Sequence, residues 1–146
     1  MEKNYTQKLE SVLLVDDSIA LNFYNKKVIE KSEKVCSTFI ANDGIKALAF
    51  LKRSANSINE SLPNIIFLDI NMPRMNGFEF LEACCNCGVF DANKTIVVFL
   101  TTSAWSKDHI KAQKNSLVHD IVQKPLDKDY FEKIYTYYIT EYLKSG

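Results

Sequence analysis

No stretch of this 146-residue sequence is both long and apolar enough to span a bilayer's hydrocarbon core, so no membrane insertion is expected. The first residues, Met1 to Glu10, alternate charged and polar side chains and lack the apolar centre of a signal peptide, which points to a cytoplasmic location. Neither sign of charge is in excess: 18 basic residues are matched by 18 acidic ones, for a formal net charge of +0. No general attraction to nucleic acid or anionic lipid follows, and any charge-driven function has to be local. Cysteine is scarce and poorly spread, with Cys84, Cys85 and Cys87 crowded together and Cys36 far from them. That distribution cannot build the multi-bridge framework of a small secreted protein, and reduced thiols are expected. A structural zinc site needs four ligands, and no matching Cys or His pair follows at a suitable spacing. The crowded thiols read instead as positions on a helix, some of them buried as small hydrophobes. The two histidines, His109 and His119, lack ligand spacing and receive no role.

What the chain does have is a regular alternation of patterns. Five apolar runs rich in β-branched or aromatic residues recur: Val12 to Val15, Thr38 to Ile40, Ile65 to Leu68, Ile96 to Leu100, and the weaker Ile121 to Val122. They are nearly continuous, as expected of strands buried on both faces of a helix-covered parallel sheet. Helical patterns lie between them. Ser18 reads as an N-cap ahead of a stripe of Ala20, Phe23, Tyr24 and Val28, and a second stripe joins Ile45, Leu48, Ala49 and Leu51. Further helices are expected near 78 to 87 and 107 to 114. A last one runs from about Lys128 to Leu143 with Phe131, Ile134, Tyr135, Tyr138 and Tyr142 on one face. Tyr137 and Tyr138, being adjacent, cannot both point inward. Ser54 to Pro63 reads as a longer surface loop, and no linker or internal repeat interrupts the chain. The length and a hydrophobic fraction of 47% suit one domain over residues 1–146, with a core from about 10 to 143 and a polar N-terminal arm over 1–9. Strand followed by helix five times over implies right-handed crossovers and a doubly wound α/β fold, five parallel strands with helices on both sides.

In an open α/β sheet, ligands bind at the carboxyl ends of the strands near the topological switch point. The residues that follow each strand form a coherent set: Asp16 and Asp17 after the first, Asp69 ending the third, Thr101 after the fourth and Lys124 after the fifth. Carboxylates a few ångströms apart repel by something on the order of 4 kcal/mol per pair at an effective dielectric near 20, so such a cluster needs a cation. Magnesium suits it, as a hard ion commonly held by one or two carboxylates plus a phosphate oxygen. The set therefore points to phosphoryl chemistry, with Asp69 attacking phosphorus and Lys124 and Thr101 donating to the remaining oxygens.

These residues resemble a known family. Asp16-Asp17, the run Asp69-Ile70-Asn71-Met72-Pro73-Arg74-Met75-Asn76-Gly77, Thr101 and Lys124-Pro125 are similar, in order and interval, to the receiver domain of two-component response regulators. Asn42-Asp43-Gly44 with Ala47-Leu48 looks like the family's turn into its second helix, and the resemblance extends from about Val12 to Leu143. It implies a flavodoxin-like, CheY-like sheet of order 2-1-3-4-5 and a stand-alone signalling switch. Asp69 would be the phosphoacceptor. Asp17 and Asp69 would ligate magnesium, Asn71 would do so through its backbone carbonyl, and Asp16 directly or through water. Lys124 would pair with the phosphoryl group, its bond to Pro125 would be cis, and Thr101 would be the switch hydroxyl. The donor would be a sensor histidine kinase or a histidine phosphotransfer protein. Output would pass to a downstream protein by contact, with the fourth helix, fifth strand and fifth helix as a common partner or dimer surface. The chain would not be an enzyme beyond its own phosphotransfer and autodephosphorylation.

Each residue also has a plainer reading. Asp16-Asp17 alone suits a turn with a helix cap, Thr101 a strand end and Lys124 a solvated lysine. An acid directly ending a buried strand, as Asp69 does, is costly unless paired or functional, and the joint placement favours the site. A magnesium-dependent phosphohydrolase of the haloacid dehalogenase type also forms an aspartyl phosphate. It usually places an Asp-x-Asp pattern after the first strand, whereas Asp16 and Asp17 are adjacent. Two departures from the receiver pattern stand out. Ile121 occupies a position usually held by Tyr or Phe, and Thr102 one usually held by a small residue, which bears on switching and on access to the site respectively. Trp105, just beyond, reads as a surface contact or as packing on the fourth helix, with packing the favoured reading.

Overall fold

The computed structural model describes residues 7–102 and 107–142. Its elements alternate strictly: β1 (Leu9–Val15), α1 (Ile19–Lys31), β2 (Val35–Ala41), α2 (Gly44–Asn56), β3 (Ile65–Asp69), α3 (Gly77–Asn86), β4 (Ile96–Thr101), α4 (Lys107–Gln113), β5 (Val118–Gln123) and α5 (Lys128–Tyr137), followed by a π-helical turn over Tyr138–Tyr142. All neighbouring strands pair in parallel, in the order β2-β1-β3-β4-β5. Every residue of β3 and β4 is buried, as the continuous apolar runs require.

The sheet separates two cores. On one side Leu13, Ile66, Leu68 and Phe99 pack against Ala47 and Leu51 of α2, Phe80, Leu81 and Cys84 of α3, and Ala112 of α4. On the other side Val12, Leu14, Phe67 and Val98 meet Ile29 of α1 and Phe131, Ile134 and Tyr135 of α5. Burying each of the large side chains contributes roughly 1.5–3 kcal/mol relative to leaving it in water. Short polar side chains start the helices: Ser18 accepts the Leu21 N–H at 3.2 Å, Asp43 the Lys46 N–H at 2.7 Å and Asp127 the Tyr130 N–H at 3.0 Å. Asn76 and Glu79 form a reciprocal capping box at 2.8 and 3.0 Å.

Several expectations change. β1 begins at Leu9, which is buried, so the end of the supposed polar arm belongs to the sheet. β2 and β5 are longer than the apolar runs because they are the edge strands, where exposed Cys36, Ser37 and His119 need no apolar character. α2 continues through Asn56 and buries Ser54, which shortens the expected loop. On α2 the expected stripe is out of phase: Leu51 is buried and Leu48 half-buried, but Ile45 and Ala49 are exposed, and Gly44 and Ala47 fill the inner face. On α1 the error is larger. Phe23 is 61% exposed and Tyr24 52%, Ala20 is also exposed and Val28 half-buried, while the inner face is Asn22, Asn25 and Ile29. Of the α5 stripe, Phe131, Ile134, Tyr135 and Tyr138 are buried and Tyr142 is half-buried, but the α-helix ends at Tyr137 and the last two lie on the π-helical turn; Tyr137 is half-buried, its ring tilted against His119 at 4.6 Å between centroids. Trp105 and Leu143 lie outside the described residues.

Candidate functional site

The carboxyl ends of β1, β3, β4 and β5 bring the expected residues together. Asp16 follows β1 and is 2% exposed, with Oδ1 accepting the Ser18 N–H at 2.8 Å. Asp17 is exposed beside it. Asp69, the last residue of β3, is 4% exposed and accepts the Asn71 N–H at 3.3 Å. One carboxylate oxygen from each of Asp16, Asp17 and Asp69 lies within 4.8 Å of the others, and this is the one such acidic group among the described residues. Lys124 Nζ bridges two of them, 2.7 Å from Asp16 Oδ2 and 3.0 Å from Asp69 Oδ1. The Lys124 N–H donates to the carbonyl of Thr101 at 2.7 Å, which ties the end of β5 to the end of β4 and keeps the buried Thr101 on the same rim. The Lys124-Pro125 bond is cis, as expected.

The loop after β3 is held from both ends. Gly77 N–H donates to the Ile70 carbonyl at 2.8 Å, and a Cβ at Gly77 would come within 2.9 Å of the Asp69 carbonyl oxygen and 2.8 Å of the Phe99 ring. No larger residue lets α3 start this close to the end of β3. Arg74, at φ 68°, reaches across to Asp43 at 3.1 Å and links this loop to the start of α2.

Burial sets the electrostatics. It pushes the Asp69 carboxyl up to about 6, with Asp16 adding to the rise and the Lys124 hydrogen bond opposing it. Burial pulls the other way on Lys124, but its bonds to Asp16 and Asp69 prevail and its pKa is raised, so the amine stays charged. Two buried acids thus share one ammonium, with a third acid alongside, and the hard oxygen donors of Asp16, Asp17 and Asp69 fit a small divalent cation. Asn22 and Asn25, which no hydrophobic pattern marks, bond to the two loops that carry Asp16 and Lys124. The cysteines take no part: all four are free, and burial pushes the Cys84 thiol up to about 12.

Residues 12–136 match the family model of the response regulator receiver domain, and the chain belongs to that family. It is similar to the response regulator Rcp1 of Synechocystis sp., at 36% identity over 92 residues, 63% of this chain and 61% of that protein. It is also similar to protein-glutamate methylesterase/protein-glutamine glutaminase 3 of Burkholderia thailandensis, at 30% identity over 129 residues, 85% of this chain and 33% of that protein. The chain therefore spans about a third of the methylesterase and under two thirds of Rcp1. Among solved structures, a two component response regulator from Cytophaga hutchinsonii superposes with a TM-score of 0.83 at 31% identity, covering 92% of this chain and 100% of that one. The chemotaxis protein CheY4 of Vibrio cholerae shares the fold, with a TM-score of 0.69 at 24% identity, covering 88% and 97%. The protein is a phosphoacceptor module of two-component signalling.

Proposed function

We propose that Asp69 is the residue that accepts the phosphoryl group, from the phosphohistidine of a sensor kinase or phosphotransfer protein. An Asp69 carboxylate oxygen forms a bond to phosphorus as the bond from phosphorus to the donor's imidazole nitrogen breaks, and the electron pair leaves on that nitrogen. The observation that carries the reading is the Lys124 ammonium held 3.0 Å from Asp69 and 2.7 Å from Asp16, poised to exchange a carboxylate for a phosphoryl oxygen. Thr101, at the end of β4, supplies a hydroxyl to a second phosphoryl oxygen. Asp16, Asp17 and Asp69, with the Asn71 carbonyl, would hold magnesium, whose charge when bound neutralises the oxygens being transferred.

The activity is self-directed: labelling of the domain's own aspartate and later hydrolysis, in a single domain working in the cytoplasm. Phosphorylation biases an existing equilibrium between two surface conformations, and a downstream protein that prefers one of them reads the signal. The face formed by α4, β5 and α5 is the surface offered to that partner or to a second copy. The test is intact mass after incubation with magnesium and phosphoramidate. One added phosphate on the wild type and none on Asp69→Asn is expected, whereas equal labelling of both, or turnover of a phosphomonoester without labelling, overturns the reading.

A further inference from the structure

The inner face of α1 is polar where a core helix is ordinarily apolar. Asn22 and Asn25 are 2% and 1% exposed, and with Ile29 they make up the buried face. Each amide reaches a different loop of the site. Asn22 Nδ2 donates to the backbone carbonyl of Asp16 at 2.8 Å and lies 3.5 Å from Asn42 Oδ1. Asn25 Oδ1 accepts the Leu126 N–H at 3.0 Å, across 101 residues of sequence. The first loop carries Asp16 and Asp17, and the second carries Lys124, whose ammonium binds Asp16 and also Asp69 at the end of β3. Neither amide is fully satisfied, for Asn22 Oδ1 and Asn25 Nδ2 are buried with no hydrogen-bonding partner among the described residues. A buried polar atom without a partner loses its hydration and gains nothing in return, so two half-satisfied amides are a poor way to fill a core and a direct way to hold two loops.

We propose that Asn22 and Asn25 are positioning residues that use α1 as a common brace, Asn22 fixing the acidic loop and Asn25 fixing the loop that aims Lys124. The inference rests on the reading of Asp69 as phosphoacceptor and of the acids as magnesium ligands. It assigns the two amides separable effects, because metal affinity depends on the acidic loop while transfer at saturating metal depends on the lysine. A merely structural role would move both together.

The experiment compares the wild type with Asn22→Leu and Asn25→Leu in three measurements: magnesium affinity by calorimetry, the rate of Asp69 labelling by phosphoramidate at saturating magnesium, and thermal melting. Asn22→Leu is expected to weaken magnesium binding on the order of 10-fold. Asn25→Leu is expected to slow labelling on the order of 10-fold with magnesium affinity within about twofold of wild type. Should Asn25→Leu fail to fold, Asn25→Ser, whose hydroxyl stops short of Leu126, carries the same comparison. Variants that change affinity and rate in equal proportion, or change neither, overturn the inference while the labelled wild type leaves the phosphoacceptor reading standing. A wild type that takes up no phosphate overturns that reading and the inference with it.

Discussion

Asp69 ionises less readily than an exposed aspartate. Burial raises its carboxyl to about 6, so near that pH a protonated, non-nucleophilic fraction competes with the reactive one. At limiting magnesium, the labelling rate is expected to fall about tenfold per unit as pH drops below about 6, and added magnesium to move the fall to lower pH, as a pH series with phosphoramidate would read. The same shift bears on stability. A carboxyl with a folded pKa of about 6 and an unfolded one of 3.8 favours folding when protonated, so this contribution is complete below 3.8 and lost as pH rises through about 6. Asp69→Asn removes the penalty and is expected to raise stability without magnesium by on the order of 2 kcal/mol at pH 7, with the gain vanishing below about pH 4 in urea titrations. The acids, Thr101 and Lys124 were legible in the sequence because each follows a strand, where chemistry gathers in this architecture. Asn22 and Asn25 were not, because their value lies in single bonds to distant backbone, and a hydrophobic reading of α1 turned Phe23 and Tyr24 inward instead.

Among the elements, the joint between β3 and α3 tolerates least change. Gly77→Ala places a methyl group against the Asp69 carbonyl oxygen, which is main chain and cannot turn aside. A loss of about 1–3 kcal/mol in chemical denaturation is expected, along with slower labelling as the end of β3 is displaced. The β5 edge invites the opposite experiment. Ile121 is half-buried against the core beneath α2, α3 and α4, where an aromatic side chain is usual in the family. Ile121→Tyr is expected to strengthen the difference in partner binding between the labelled and unlabelled protein, measured by titration against a captured partner; an unchanged difference would remove Ile121 from the switch. Central strands were readable and edge strands were not, since β3 and β4 are apolar up to their last residues, Asp69 and Thr101, while β2 and β5 mix in polar residues that face water. Helix starts were readable where a cap such as Ser18 marks them, but helix phase was misjudged on α1 and α2, whose inner faces hold asparagine, glycine and serine.

For the molecule as a whole, a ligand that binds the folded state alone adds stability by mass action. At a hundredfold excess over its dissociation constant, magnesium is expected to contribute about 2.7 kcal/mol. That is on the order of 10 °C in Tm for a domain this size. Calorimetric melting with magnesium and with a chelator of divalent metals checks the figure, and Asp17→Asn should shrink the increment while leaving the chelated baseline in place. That baseline owes something to Lys124, which lends Asp16 and Asp69 a positive charge from within the chain. Stripping divalent ions from solution should therefore slow the protein without unfolding it. A cell passing through ion scarcity would keep a reserve of intact receivers, idle for want of a metal and able to resume as soon as supply returns.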